Sequence, residues 1–162
     1  MKRVLALDQA SRTTGWAVFE DKNLVTFGKF TATEEDIGER LYEIRRYVER
    51  LILDYNIDEV VFEDIQLQNN VVQNVKTFKM LAEVFGVVQE TLQEIGIEYY
   101  IIPPMVWKST IGIAGKGRER EKPLAQKWVM ENYNMKCTED EADAACLGAH
   151  VIKKADSEFD WA

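Results

Sequence analysis

Hydrophobic and polar positions alternate from the first residues of the chain. "RVLALD" (3–8) and "TGWAVFE" (14–20) keep a two-residue period, Gly15 opens the second, and "DKN" (21–23) has turn composition before "LVTFGKF" (24–30). Residues 3–30 therefore predict three antiparallel strands in a meander. From about Glu34 to Tyr55 the period becomes helical, with Ile37, Leu41, Ile44, Val48, Leu51, Ile52 and Tyr55 on one apolar stripe. "IDEVVFED" (57–64) is a short, valine-rich strand. Asn69 or Asn70 can cap a long helix that runs to about Ile95. Its apolar positions, from Val71 through Phe78 and Phe85 to Leu92, cover more than one face, as in a helix that crosses a core or meets a second subunit. "IEYYIIPP" (97–104) is a fifth strand, ended by Pro103 and Pro104.

Beyond it, "MVWKSTIGIAGKGRERE" (105–121) is glycine-rich and reads as irregular. Pro123 suits the first turn of the next helix, which carries Leu124, Trp128 and Val129, and a last helix begins near Thr138. Strands followed by alternating helix and strand predict an α/β fold. Its five-stranded mixed sheet has three antiparallel strands extended by two parallel ones, with helices on both faces. No repeat or linker divides the chain, so residues 1–154 are expected to form one domain and 155–162 a short flexible tail.

Composition narrows the function. No run approaches the ~20 apolar residues of a membrane span, and "MKRVLALDQ" lacks the apolar core of a signal peptide, so a cytoplasmic location is expected. Cys137 and Cys146 form no CxxC, and the chain has 1 His, which argues against a structural zinc site or a disulfide framework. Both cysteines are expected to be core thiols. A net charge of −8 disfavours nucleic-acid binding by bulk electrostatics. Such a role requires a local basic patch, or divalent cations that cancel clustered carboxylates.

The carboxylates are clustered by position. In "CTEDEADAACLGAH" (137–150), Thr138 and Glu141 have capping-box spacing, which explains part of the acidity; Glu139 is likewise expected to serve the helix start. Asp140 and Asp143 lie three apart, on one helical face, and Asp143 shares the side of Ala144, Cys146 and Ala149 that should press on the sheet. Two carboxylates aimed into a half-buried space repel unless a cation sits between them. Asp8 and Glu63 end strands, where α/β sheets build their sites. Asp64 is expected on the opposite face from Glu63, and His150 too far along its helix to join. Asp8, Glu63, Asp140 and Asp143 are thus candidate ligands in an oxygen-only set of the kind that Mg²⁺ or Mn²⁺ prefers. Four carboxylates can hold two such ions about 4 Å apart, an arrangement suited to phosphodiester cleavage.

Four segments carry a resemblance to a known family, the RuvC-type Holliday-junction resolvases. "VLALDQASRTTGWAVFE" resembles their first motif and "VVFEDIQLQNNVVQN" their second. "IIPPMVWKSTIGIAGKGREREKPLAQKWV" is similar to their proline, lysine and glycine-rich loop segment, and "EDEADAACLGAH" to their closing helix. The motifs occur in order and span about residues 3–152. The resemblance implies a ribonuclease H-like fold, a homodimer formed through the 70–95 helix, and Mg²⁺-dependent endonuclease activity on branched DNA, with Mn²⁺ able to substitute. It implies that Asp8, Glu63, Asp140 and Asp143 are the metal-binding catalytic acids, that Lys108 lies near the scissile phosphate, and that Lys116 is a second lysine in the loop. Three features depart from the pattern. Gln9-Ala10-Ser11 stands where cellular members usually carry Pro-Gly-Ser, Gln66, Leu67 and Gln68 replace the aromatic wedge, and the chain is markedly acidic. These resemble the phage-encoded branch, for which forks, flaps and three-way junctions join four-way junctions as expected substrates.

DNA contacts are expected from Lys116, Arg118, Arg120 and Lys122, which fall within seven residues, and from Arg12, Lys76 and Lys79. Recognition would follow branch shape more than base edges. Two other function classes fit parts of the pattern. One is a phosphate-binding relative of actin-like ATPases, whose opening motif is close to "LDQASRTTGW", although such proteins need two of these domains. The other is a non-catalytic branched-DNA-binding protein, disfavoured because unused buried carboxylates cost stability. "DEAD" at 140–143 lacks an accompanying P-loop, since "GIAGKG" does not match one.

Overall fold

Strand β1 (Arg3–Asp8) occupies the middle of the sheet, and its sequence shows why. Leu5 and Leu7 face one side, Val4 and Ala6 the other, and all four are buried, as a strand covered on both faces requires. β2 (Thr13–Glu20) and β3 (Asn23–Thr31) follow antiparallel, with Asp21 at positive φ in the turn between them. Helix α1 (Ile37–Asp54) leads to β4 (Glu59–Glu63), α2 (Val71–Ile95) to β5 (Glu98–Ile102), and α3 (Pro104–Thr110), α4 (Arg118–Tyr133) and α5 (Glu139–Asp160) complete the chain. The strand order is β3-β2-β1-β4-β5, with β4 parallel to both β1 and β5. The computed structural model describes residues 1–65 and 71–160, and for residues 71–74, 118 and 154–160 the backbone alone. The expected Asn69 or Asn70 cap and the wedge positions Gln66, Leu67 and Gln68 lie outside the described residues.

The sheet separates two cores. On one side Leu5, Leu7, Trp16, Val18, Val60 and Phe62 pack under α1 and α2 through Ile44, Val48, Val84, Val88 and Leu92. On the other, Val4, Ala6, Ala17, Phe19 and Val61 pack under Ala142, Ala145, Leu147 and Ala149 of α5, with Trp107 of α3 and Val129 of α4. Small residues let α5 lie close to the strands. A Cβ on Gly148 would come within 2.3 Å of the Phe19 ring, and one on Gly15 within 2.1 Å of the Asp140 carbonyl oxygen. The glycine expected only to open a strand thus makes room for the start of α5.

The five strands, their directions and the helices on both faces match the expected α/β sheet. Three details differ. The stretch 105–121 is not wholly irregular: Pro103 is extended (φ −65°, ψ 144°) and Pro104, with its φ already set, starts α3 directly after β5. Pro123 lies inside α4 rather than in its first turn, because the helix already begins at Arg118 behind Gly117 (φ 89°). Its first turn gains Glu119 and Glu121, which complement the helix dipole. Helix α1 starts at Ile37, not Glu34, because the Asp36 side chain accepts from the Glu39 amide at 3.1 Å and caps it there. That start leaves Ile37 exposed at the helix end and buries Arg40, which donates to the carbonyl oxygens of Glu34 and Glu35.

Candidate active site

Register places the carboxylates. Leu7 of β1 pairs with Phe62 of β4, so Asp8 and Glu63 are the next residues on adjacent parallel strands. Alternation turns both toward the α5 face, as it does Ala6 and Val61. Asp8 is paired with Gly15 of β2, and Gly15 lies against Asp140 at the head of α5. The capping box forms as the spacing predicted: the Thr138 amide donates to Glu141 Oε1 at 2.8 Å and the Glu141 amide to Thr138 Oγ1 at 3.4 Å. One helical turn then presents Asp140 and Asp143 together.

A cavity of about 380 Å³ results, its wall including Asp8, Glu63, Asp140 and Asp143 together with Lys108 and Lys122. Burial pushes the Asp8 carboxyl well above its ordinary range, and the charges of Glu63, Asp143 and Asp140 push it further against relief from Lys108. Asp143 is pushed up to about 7, first by burial and then by Glu63, with Lys108 opposing and Asp140 adding. The group has the electrostatics of carboxylates short of positive charge.

Several cavity features were not read from the sequence. Glu121 is buried on α4 and forms an ion pair with Lys108 at 2.9 Å, so the lysine expected near the scissile phosphate is held by an acid from a neighbouring helix. Trp107, 1% exposed, donates its indole N–H to Glu63 Oε2 at 2.9 Å. Gln9 bonds twice to the backbone of Glu63: its Nε2 donates to the carbonyl at 2.5 Å, and its Oε1 accepts from the amide at 3.3 Å. Asp64 lines the same cavity rather than the opposite face, because β4 ends at Glu63 and strand alternation no longer governs it. Glu139 also lines it, paired with Lys122 at 3.3 Å, and so does more than serve the helix start. The reading of 105–121 as irregular gave no signal for the Trp107 and Glu121 contacts, which join separate elements.

The other residues expected to touch DNA fall elsewhere. Arg12 pairs with Glu35 at 3.3 Å, and Lys76, Lys79, Lys116 and Arg120 are exposed outside the cavity wall. The side chain of Arg118 lies outside the described residues. His150 is buried with its Nδ1 2.7 Å from Thr110 Oγ1, and it is not part of the wall. Cys146 is a buried thiol as expected, whereas Cys137 is only half-buried.

No three His, Cys, Asp or Glu side chains among the described residues converge as a ready-made metal shell. Glu63 Oε2 is engaged by the indole. The donor set nevertheless fits a hard cation: Asp8, Glu63, Asp140 and Asp143 offer carboxylate oxygens alone, in one cavity whose mutual repulsion a cation would relieve.

A sheet of this order flanked by helices, with carboxylates gathered at the ends of its central strands and on the closing helix, defines a ribonuclease H-like domain. The sequence model of the family described as "Crossover junction endodeoxyribonuclease RuvC" matches residues 4–150, and the chain belongs to that family. Membership makes it a hydrolytic, metal-dependent endonuclease that acts structure-selectively on branched DNA. Among its relatives, the crossover junction endodeoxyribonuclease RuvC of Syntrophomonas wolfei is 25% identical over 150 residues, covering 90% of this chain and 85% of that protein. The RuvC of Clostridioides difficile is 28% identical over 152 residues, covering 89% and 86%. In structure, Thermus thermophilus RuvC, solved in complex with a Holliday-junction substrate, superposes with a TM-score of 0.71 at 17% identity over 96% of each chain, which supports the fold. Among the described residues no helix is long and apolar enough to cross a membrane.

Proposed function

We propose that this chain resolves Holliday junctions and also incises forks, flaps and three-way junctions, in the cytoplasm, with Mg²⁺ held by Asp8, Glu63, Asp140 and Asp143, two ions per site, and Mn²⁺ able to replace it. The observation that carries this reading is the single cavity that holds all four carboxylates together with Lys108. When bound, the ions supply Lewis acidity toward the phosphate and the attacking water. In hydrolysis the water oxygen bonds to phosphorus in line, the bond to the 3′-oxygen breaks, and a 3′-hydroxyl and 5′-phosphate result.

The protein groups divide the remaining work. The carboxylates orient the reacting centre from β1, β4 and α5, three elements locked together by sheet register and by the close approach at Gly15. Lys108 offsets negative charge on the phosphate once the phosphate competes with Glu121 for its ammonium. Lys122, at the cavity wall, and Lys116, Arg118 and Arg120 beside it in sequence hold the backbone of one arm, while Arg12, Lys76 and Lys79 meet other arms. Two copies pair through α2, whose exposed Val75 continues its apolar surface beyond the core, so that two cavities face one junction.

Asp8→Asn keeps the shape of the side chain and removes its charge. It should abolish cleavage of labelled four-way, three-way and flap DNA in Mg²⁺, while gel-shift binding of the same branched DNA persists. Cleavage at the wild-type rate by this variant overturns the assignment.

A further inference from the structure

Glu63 is held from two directions by groups that have no charge of their own to contribute. Its main chain is clipped on both polar sides by Gln9, from the end of the neighbouring strand. Its carboxylate is engaged at Oε2 by the indole of Trp107. A glutamate has three rotatable side-chain bonds. On the β5 side Glu63 is held, paired with Ile102, and the Asp64 amide bonds on to the Ile102 carbonyl; on the β1 side the ladder stops at Leu7 and Phe62. The Gln9 side chain bonds to Glu63 across that open side. An amide is the side chain suited to it, since it donates to a carbonyl and accepts from an N–H at once. The Trp107 ring is buried in the core on the α5 side, so its N–H has a fixed direction.

We propose that Gln9 and Trp107 are positioning residues for Glu63: they set the place and orientation of its carboxylate beside Asp8 and thereby the affinity of the site for a divalent cation. Asp8 and Gln9 are adjacent in sequence, so the clip also ties the spacing of Asp8 to that of Glu63. Groups that orient metal-binding side chains typically tune affinity by about 10–100-fold when removed. Neither side chain is assigned a role on the substrate, and both act through Glu63.

The inference rests on the metal-site reading above, and its test separates the two. Full-length wild type, Gln9→Ala and Trp107→Phe are titrated with Mn²⁺ alone by calorimetry, and cleavage of a labelled four-way junction is followed against Mg²⁺ concentration. Thermal unfolding is recorded in EDTA. Both variants should bind Mn²⁺ about 10–100-fold more weakly and need correspondingly more Mg²⁺ for half-maximal cleavage, with the rate recovering toward wild type at saturation. Gln9→Ala should remain folded in EDTA and unfold cooperatively only a few degrees below wild type, so that its weaker Mn²⁺ binding is not loss of the fold. Wild-type Mn²⁺ affinity in Gln9→Ala overturns the inference, and that variant decides alone if Trp107→Phe fails to fold. A wild-type protein that binds no Mn²⁺ and cuts in EDTA overturns the metal-site reading and the inference with it.

Discussion

At the scale of single residues, the cavity gathers more carboxylates than Lys108 and Lys122 offset. Asp143 ordinarily titrates near 3.8 and is pushed to about 7 by burial first and neighbouring carboxylates second. Between those values the folded chain keeps a proton that the unfolded chain has released. Stability from this group is therefore fully present below about pH 4 and declines as pH rises toward about 7, by up to about 1.4 kcal/mol per pH unit for that one proton. Urea unfolding in EDTA from pH 4 to 8 should show this decline, and Asp143→Asn should flatten it. The raised Asp8 carboxyl acts in the same direction. Saturating Mg²⁺ should remove much of the slope, because a cation favours the charged form that burial penalises.

At the scale of elements, the decisive packing is helix on strand. Helix α5 can begin where it does only because Gly15 offers no Cβ to the Asp140 backbone and Gly148 none to the Phe19 ring. Gly15→Ala asks the first turn of α5 to move. It should cost about 1–3 kcal/mol in urea unfolding, as overpacking does. It should lower cleavage about 100-fold, because Asp140 and Asp143 ride on that turn. A variant with normal stability and normal cleavage would show that the packing there is slack. On the opposite face, Arg45 joins Glu49 to Glu90 and Glu94 and so links α1 to α2. That network braces the helix proposed to meet the second copy.

At the scale of the whole molecule, a chain of net charge −8 must hold a polyanion. Lys108 of α3 and Lys122 of α4 line the cavity, and Lys116 and Arg120 are close to Lys122 in sequence, so affinity should be local and strongly salt-dependent. Replacing Lys116 and Arg120 together with alanine should weaken junction binding. It should also make the slope of log affinity against log salt shallower by about one for each phosphate no longer neutralised. An unchanged slope would place the DNA elsewhere. The proposed dimer has its own check. Val75, 57% exposed on α2, becomes a buried charge in Val75→Asp if the helices pair, so sedimentation should shift from dimer to monomer, and paired incision of a four-way junction should give way to single nicks.

What could be read directly from the sequence was whatever depends on neighbours in sequence. The two-residue period of "RVLALD" announced a strand, and the Thr138–Glu141 spacing announced the cap of α5. The three-residue step from Asp140 to Asp143 set both on one helical face. Strand-end positions picked out Asp8 and Glu63. Tertiary structure alone decided the rest, because those interactions join residues far apart in the chain whose individual types fit many settings. Glutamine after a strand does not announce a clip across to Glu63, nor does Glu121 in a run of charges announce the partner of Lys108. Strand register brought Asp8 beside Glu63, and the missing Cβ of Gly15 admitted the helix carrying Asp140 and Asp143. Periodicity is a local property of the backbone, whereas a shared cavity exists only once the strands have paired and the last helix has packed.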